Sequence, residues 1–335
     1  MKDLINKLNS SGKNTTKVES MRCKSFGYQV LGFGAGGTVA PFICATGGTI
    51  TCSGDYRIHT FTGPGTFCVS AAGSPAGSDK IDYLVIAGGG SGAGGCGAGG
   101  GAGGFRESYN PCTSGSYTAS PLATPVSLTA SVAAFPIAVG GGGPGNPLAG
   151  PYTPGTNGSV STFSSITSAG GGGGGGSPNA SGGVAGNPGG SGGGGDPRNA
   201  GGAGNTPTVS PSQGNNGGRG NRHVSPSGQN AGGGGGSSGA IGGNGGPNGG
   251  CGGAGVTTSI NASPVQRAAG GGGAWSNGSS GCNGGAGGGG KGGSPGSNAV
   301  AGTANTGSGG GAGGIGPVPS GAGGSGIVVV RYKFQ

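Results

Sequence analysis

Charge is scarce in this chain. Of 335 residues, 16 are Lys or Arg, 7 are Asp or Glu and 2 are His. Disordered chains are usually rich in charge, so the scarcity argues against a solvated coil. It also leaves little for acid–base catalysis. No nucleophile–base pair stands out among Asp3, Glu19, Asp55, Asp79, Asp82, Glu107, Asp196, His59 and His223, and the chain reads as no enzyme. Aromatic residues make up 5% of the chain and there is one Trp. A conventional side-chain core is therefore excluded for most of its length, because ordering a residue costs ~1–2 kcal/mol and glycine is the worst case. No run of 18 apolar residues is present, which excludes a membrane-spanning helix. The start, MKDLINKLNSS, has no apolar h-region and reads as no export signal. The eight cysteines (23, 44, 52, 68, 96, 112, 251 and 282) form no CxxC pair and have no His at metal-ligand spacing. No metal site and no cofactor are expected. Cys44, Cys52 and Cys68 fall in strand-rich sequence and read as small buried residues.

Glycine fills the space, at 100 residues, with 22 prolines. The glycine is framed. Ile81 to Glu107 (IDYLVIAGGGSGAGGCGAGGGAGGFRE) is a short apolar strand that runs into glycine and leaves through Phe105-Arg106-Glu107. The joint recurs in FPIAVGGGG from Phe135 and in FSSITSAGGGGGGG from Phe163, and is mirrored where GGSG feeds IVVVRYKF from Ile327. Tyr83–Ala87 and Ile327–Phe334 are expected to pair. In the latter, Val328, Val330, Tyr332 and Phe334 form an apolar face, with Arg331 and Lys333 pointing the other way. His59, in YRIHTF, reads as a half-exposed strand residue. From Gly88 on, glycine runs alternate with turns rich in Pro, Asn and Ser, at irregular lengths that exclude a strict solenoid. Contiguous glycine favours the left-handed polyproline-II geometry, with three residues per turn and no internal hydrogen bonds. Helices without Cβ atoms can pack side by side and bond to one another on all sides. The expected fold is a small β framework clamping a bundle of polyglycine-II helices, with almost no α-helix. The framework covers 47–87, 126–167 and 327–335, and the polyglycine-II body 88–326.

Residues 1–45 differ. Six of the 16 basic residues fall in the first 24 positions, followed by an extended apolar segment carrying Phe26, Tyr28, Val30, Leu31 and Phe33. This reads as an anchoring arm that needs a partner surface, or equally, for the apolar segment, as an ordinary first strand of the domain that follows. Gly90-x-Gly92-x-x-Gly95 imitates a dinucleotide fingerprint, but more glycine follows where a helix must open, so nucleotide binding is rejected. In the body the densest charge cluster is Arg219-Gly220-Asn221-Arg222-His223. One such cluster without neighbouring aromatics is too little for RGG-type nucleic-acid binding. Recognition on a rigid scaffold resides in its turns. Arg219, Arg222, His223, Arg267 and Trp275 are therefore the candidate receptor-binding residues, each weighed against a plain solvated turn.

The series GGTIT, YRIHTFTGPGTFCV, IDYLVIAGGGSGAGG, FPIAVGGGGPG, STFSSITSAGGGG and GSGIVVVRYKF resembles the glycine-rich domain of bacteriophage virion proteins, over about Gly47 to Gln335. That domain is common in tail-fibre and other structural proteins of marine phages, including cyanophages. More distantly the chain is similar to the polyglycine-II adhesins at the fibre tips of T-even-like phages. The resemblance implies a virion-surface location after assembly in the host cytoplasm. It also implies attachment to a host cell-surface glycan or protein, and contact with other virion proteins through residues 1–45. A homo-oligomer such as a trimer, without membrane insertion, is expected. The alternative is a capsid decoration or head-fibre protein that binds no receptor. A third reading, an ice-binding polyglycine-II bundle, wants regular Gly-x-x triplets and a flat face of small residues, and the contiguous glycine runs and irregular turns argue against it.

Overall fold

The run Leu84-Val85-Ile86 and the run Val328-Val329-Val330 carry the highest strand propensity in the chain, and apolar runs of this kind suit strands covered on both faces. The computed structural model describes residues 41–111, 115–147, 153–176, 183–222, 230–276, 280–316 and 318–335. The first strands are β1 (Ile43–Thr46), β2 (Thr49–Ser53), β3 (Tyr56–Phe61), β4 (Gly65–Ala72) and β5 (Lys80–Ile86). After a glycine segment come β6 (Phe105–Ser108), β7 (Ala123–Thr124), β8 (Leu128–Thr129), β9 (Ala133–Ala138), β10 (Ser161–Phe163) and β11 (Ile166–Ser168). Two short hairpins interrupt the glycine: β12 (Asn221–Arg222) with β13 (Asn230–Ala231), and β14 (Val256–Thr258) with β15 (Val265–Arg267). The last strand is β16 (Ile327–Lys333). Among the described residues no helix is long and apolar enough to cross a membrane.

One sheet has seven strands, in the order β2-β3-β16-β5-β6-β7 with β8 beside β5; the other has five, in the order β1-β4-β9-β10-β11. The expected closing pair is present. β16 runs antiparallel to β5 from Ile327↔Ile86 to Arg331↔Asp82, and its other edge pairs with β3. Phe67, Val69, Ile137 and Phe163 of the five-stranded sheet pack with Tyr83, Val85, Val328, Val330 and Tyr332. The opposite face, with Leu84, Ile86, Phe105, Ile327 and Val329, is covered by Ala102, Ile260 and Ala268 from the glycine body.

Double coverage corrects several expectations. Arg331 does not point to solvent: it is buried, donates to the Ile260 carbonyl (3.2 Å), and lies over the rings of Tyr56 and Tyr117. His59 is wholly buried between Phe67 and Tyr332. Its Nδ1 faces the Gly47 carbonyl at 2.7 Å, so that nitrogen carries the proton; Nε2 then accepts from the Tyr332 hydroxyl at 2.9 Å. Cys52 and Cys68 are exposed and Cys44 is half-buried, because their strand positions face outward. β1 begins at Ile43, inside the segment read as the arm, and belongs to the compact unit Thr38–Gln335. The anchor residues Phe26, Tyr28, Val30, Leu31 and Phe33 lie outside the described residues.

Between the strands the backbone bonds in a cycle of three. The N–H groups of Gly88, Ser91 and Gly94 donate to Ser159, Thr156 and Thr153; those of Gly89 and Gly92 to Gly324 and Gly321; those of Gly90 and Ala93 to Gly101 and Ala98, all at 2.9–3.0 Å. The return segment repeats the cycle: Ala98, Gly101 and Gly104 donate to 175, 172 and 169, Gly99 and Ala102 to 233 and 236, Gly100 and Gly103 to 310 and 307. Successive residues thus face three different neighbours. A Cβ on Gly172 would collide with the Asn187 carbonyl, and one on Gly309 with the Gly100 carbonyl, whereas one on Gly141 meets nothing. Central segments are consequently almost free of side chains. Peripheral segments show a second rule, x-Gly-Gly, in which every third residue is exposed: Ala200 and Ala203; Asn216 and Arg219; Ile241, Asn244 and Pro247; Cys251 and Ala254.

Cys251 and Cys282, on adjacent peripheral segments, form a disulfide across 31 residues. Loop closure of that length stabilises by about 3–4 kcal/mol in the chain-entropy account. Cys282→Ser, or reduction of the native chain, is expected to lower the unfolding midpoint without changing the far-ultraviolet spectrum of the folded state. An unchanged midpoint would mean that the cross-link is not formed in solution or that the loop it closes is already restricted in the unfolded chain.

Candidate recognition surface at the distal turns

The direction of each segment decides which turns can meet. β5 leads from Lys80 to Ile86 and continues as Gly88–Gly94; the chain turns at Gly95 and Cys96 (both φ 58°) and returns through Ala98–Gly104 to β6. Glycine takes positive φ without steric cost at position 95, while Cys96 takes it with a side chain. Turns of the body therefore fall at two ends, one against the β framework and one distal to it. Pro41, which accepts from Ser74 and Ser78, lies beside the loop preceding β5, at the far end of the framework from the distal turns.

At the distal end, Asp196 accepts from the Arg198 N–H (3.1 Å) and the Asn199 side chain (2.7 Å), so this buried carboxylate caps its own turn. The Asn199 carbonyl accepts from Gly220 N–H, joining that turn to the next. Arg219 takes Asn244 Oδ1 on its N–H (2.9 Å) and gives its carbonyl to Gly245. β12 and β13 pair as Asn221↔Ala231 and Arg222↔Asn230. Ala231 bridges to Trp275, and Asn230 is bonded through both N–H and carbonyl to Ser276. Arg219 and Arg222 are exposed, and Arg198 and Trp275 half-buried. The structure therefore places Arg219, Arg222 and Trp275 on linked turns at the same end of the body and adds Arg198. His223 lies outside the described residues. Among the described residues none of these three arginines has a carboxylate within ion-pair distance.

Arg267 belongs elsewhere. β15 lies at the framework end, and Arg267 is 6% exposed, so its guanidinium is closed to a receptor. Burial lowers its pKa and the neighbouring Glu107 opposes that shift. The two sit in a sealed polar cluster. Glu107 accepts from Ser120 N–H and the Thr258 hydroxyl, and burial raises its pKa against those bonds. Asp82 accepts from Ser108 (2.7 Å), Ser127 (2.6 Å) and Asn110 N–H (2.9 Å). The cluster docks the β14–β15 hairpin on the large sheet. With Glu107 2% and Asp82 1% exposed it is closed to substrate. Among the described residues no group of three His, Cys, Asp or Glu side chains converges to hold a metal.

The model of a glycine-rich domain matches residues 60–333. The chain belongs to this glycine-rich domain family. The match runs from within β3 to the end of β16, so the paired strands and the glycine body between them are one family unit. No curated protein and no solved structure matches the chain. Within this glycine-rich domain, the sequence alone pointed to Arg219 and Arg222 through their local charge density. It missed Arg198, whose nearness depends on the Asn199–Gly220 hydrogen bond.

Proposed function

We propose that this glycine-rich domain is a polyglycine-II bundle carried on the surface of a bacteriophage virion, where it presents its distal turns to the host cell. The observation that carries the reading is the three-residue hydrogen-bond cycle, which spends every lateral face of the central segments on backbone contacts. Such a body has almost no side chains with which to recognise anything along its centre. Specificity falls to the turns, and the distal turns carry Arg219 and Arg222 exposed and Arg198 and Trp275 half-buried. The residues that precede β1 hold the chain on the particle in this reading.

An antibody to the chain is expected to label purified phage particles. Particles carrying Arg219→Ala, Arg222→Ala and Trp275→Ala together are expected to assemble in normal yield and adsorb to host cells at least tenfold more slowly. Absence of label overturns the virion location. Unchanged adsorption overturns attachment and favours a decoration role.

A further inference from the structure

From Ser108 to the C-terminus the sequence holds one carboxylate side chain, Asp196. That group is buried under its own turn and is occupied by a backbone N–H and an amide. The distal surface thus sets three guanidinium groups against no available carboxylate among the described residues. An arginine presents five donors in a planar fork that fits carboxylate, sulfate or phosphate oxygens two at a time. Arg219 and Arg222 are three residues apart on one segment, so their Cα atoms are separated by about 9 Å at 3.1 Å per residue. That spacing is of the order of a disaccharide repeat in an extended polysaccharide.

Charge alone would describe any polyanion. Two further features narrow the ligand. Trp275 bridges to Ala231, the partner of Asn221, on the strand edge next to the β12–β13 pair, and an indole ring stacks on the C–H face of a pyranose. Asn230 pairs with Arg222 across β12 and β13 and Asn221 precedes Arg222 on β12, and amides both donate to and accept from sugar hydroxyls. We infer that the distal surface binds an anionic polysaccharide, the acid groups meeting the arginines and a sugar ring meeting Trp275. The inference rests on the host-attachment reading and assigns its ligand.

The test uses the full chain, immobilised, with polygalacturonate, dextran sulfate, neutral dextran and a single-stranded oligonucleotide as probes at several salt concentrations. The native chain is expected to bind at least one anionic polysaccharide and to ignore neutral dextran, with affinity falling as salt rises. Arg198→Ser, Arg219→Ser and Arg222→Ser combined should weaken binding at least tenfold and flatten the salt dependence. Trp275→Ala should weaken it at least fivefold with the salt dependence unchanged. An unchanged melting temperature certifies both variants as folded. If the native chain binds neither anionic polysaccharide, or binds the oligonucleotide as well and is indifferent to Trp275→Ala, the assignment is overturned. Loss of cell adsorption by the arginine variant, without polysaccharide binding by the native chain, overturns the ligand and leaves attachment standing. Polysaccharide binding without cell adsorption supports the ligand and overturns attachment.

Discussion

Gly172→Leu is expected to abolish folding of the glycine body, while Gly141→Ala leaves the melting temperature within a degree or two of the native value. Both are glycines in glycine runs, and helix or strand propensity does not distinguish them. Space does. The first Cβ at 172 already meets the Asn187 carbonyl and the Gly193 N–H, so segments on two sides must retreat. Overpacking a well-filled core costs about 1–3 kcal/mol where side chains can yield. Here the obstacles are backbone groups that are themselves hydrogen-bonded: Gly172 N–H donates to Ser191, and its carbonyl accepts from Gly101. Retreat breaks those bonds as well, and each buried group left unsatisfied costs a further ~1–3 kcal/mol. A loss beyond about 4 kcal/mol is expected even for Gly172→Ala, and more for Leu. At Gly141 nothing lies within contact distance and the residue is exposed, so the change should stay within about 0.5 kcal/mol. Thermal melts of the three proteins decide the matter. Equal melting of Gly172→Leu and the native chain would mean that the segments do not pack as described.

The second large effect is on pH. Burial lowers the His59 pKa to about 4, the Gly47 hydrogen bond opposes the shift, and the Arg57 charge adds to it. In the unfolded chain the ring titrates near 6.5. Between those values the unfolded state binds the proton and the folded state does not, so stability is full above pH 6.5 and is lost as pH falls toward 4. At ~1.4 kcal/mol per pKa unit the loss by pH 4.5 is about 2–3 kcal/mol. Glu107 acts in the opposite sense. Its raised pKa means that the folded state takes up its proton first, and acid relieves its burial. Comparing the native chain with His59→Gln separates the two, since Glu107 is common to both. Unfolding free energies from urea titrations at pH 7 and 4.5 should fall further apart in the native chain than in His59→Gln by that amount. A parallel shift in the two proteins would mean that His59 is protonated or solvated in the folded state.

The framework was legible because an apolar β-branched run that stops at glycine has few other readings. Tyr83–Ala87 and Ile327–Phe334 were placed and paired from pattern alone, and the pairing is present. What pattern could not supply was coverage. Alternation tells which side of a strand a residue faces, and says nothing of what lies on that side. Alternation leaves Arg331 facing away from the apolar side and His59 half-exposed, because residues that bury them, Ile260 between β14 and β15 and Tyr332 on β16, come from distant parts of the chain. The candidate surface divides in the same way. Arg219, Arg222 and Arg267 look alike in sequence, each a cation in a polar turn. Their fates differ because successive turns alternate between the framework and the distal end, and assigning an end requires knowing how many times the chain has reversed before it. The x-Gly-Gly rhythm of the peripheral segments was in plain view but was obscured by the central runs, where x is glycine too.

A cycle that repeats every three residues has a further consequence, for fidelity of assembly. A segment of uniform glycine displaced by three residues along its neighbours would remake every hydrogen bond it had before, so strength of bonding cannot select the right alignment. The rare small side chains break that degeneracy. Ser91 Oγ accepts from Thr156 N–H at 2.8 Å, Ser161 Oγ accepts from Gly140 N–H at 2.8 Å and donates to the Ile86 carbonyl at 2.9 Å, and Ser308 Oγ donates to the Gly287 carbonyl at 2.8 Å. Each such contact exists in one alignment and is lost in the shifted ones. The serines scattered through the glycine act as vernier marks: a few hydroxyls, each worth about 1 kcal/mol, choose among lattices that the backbone alone would count as equal.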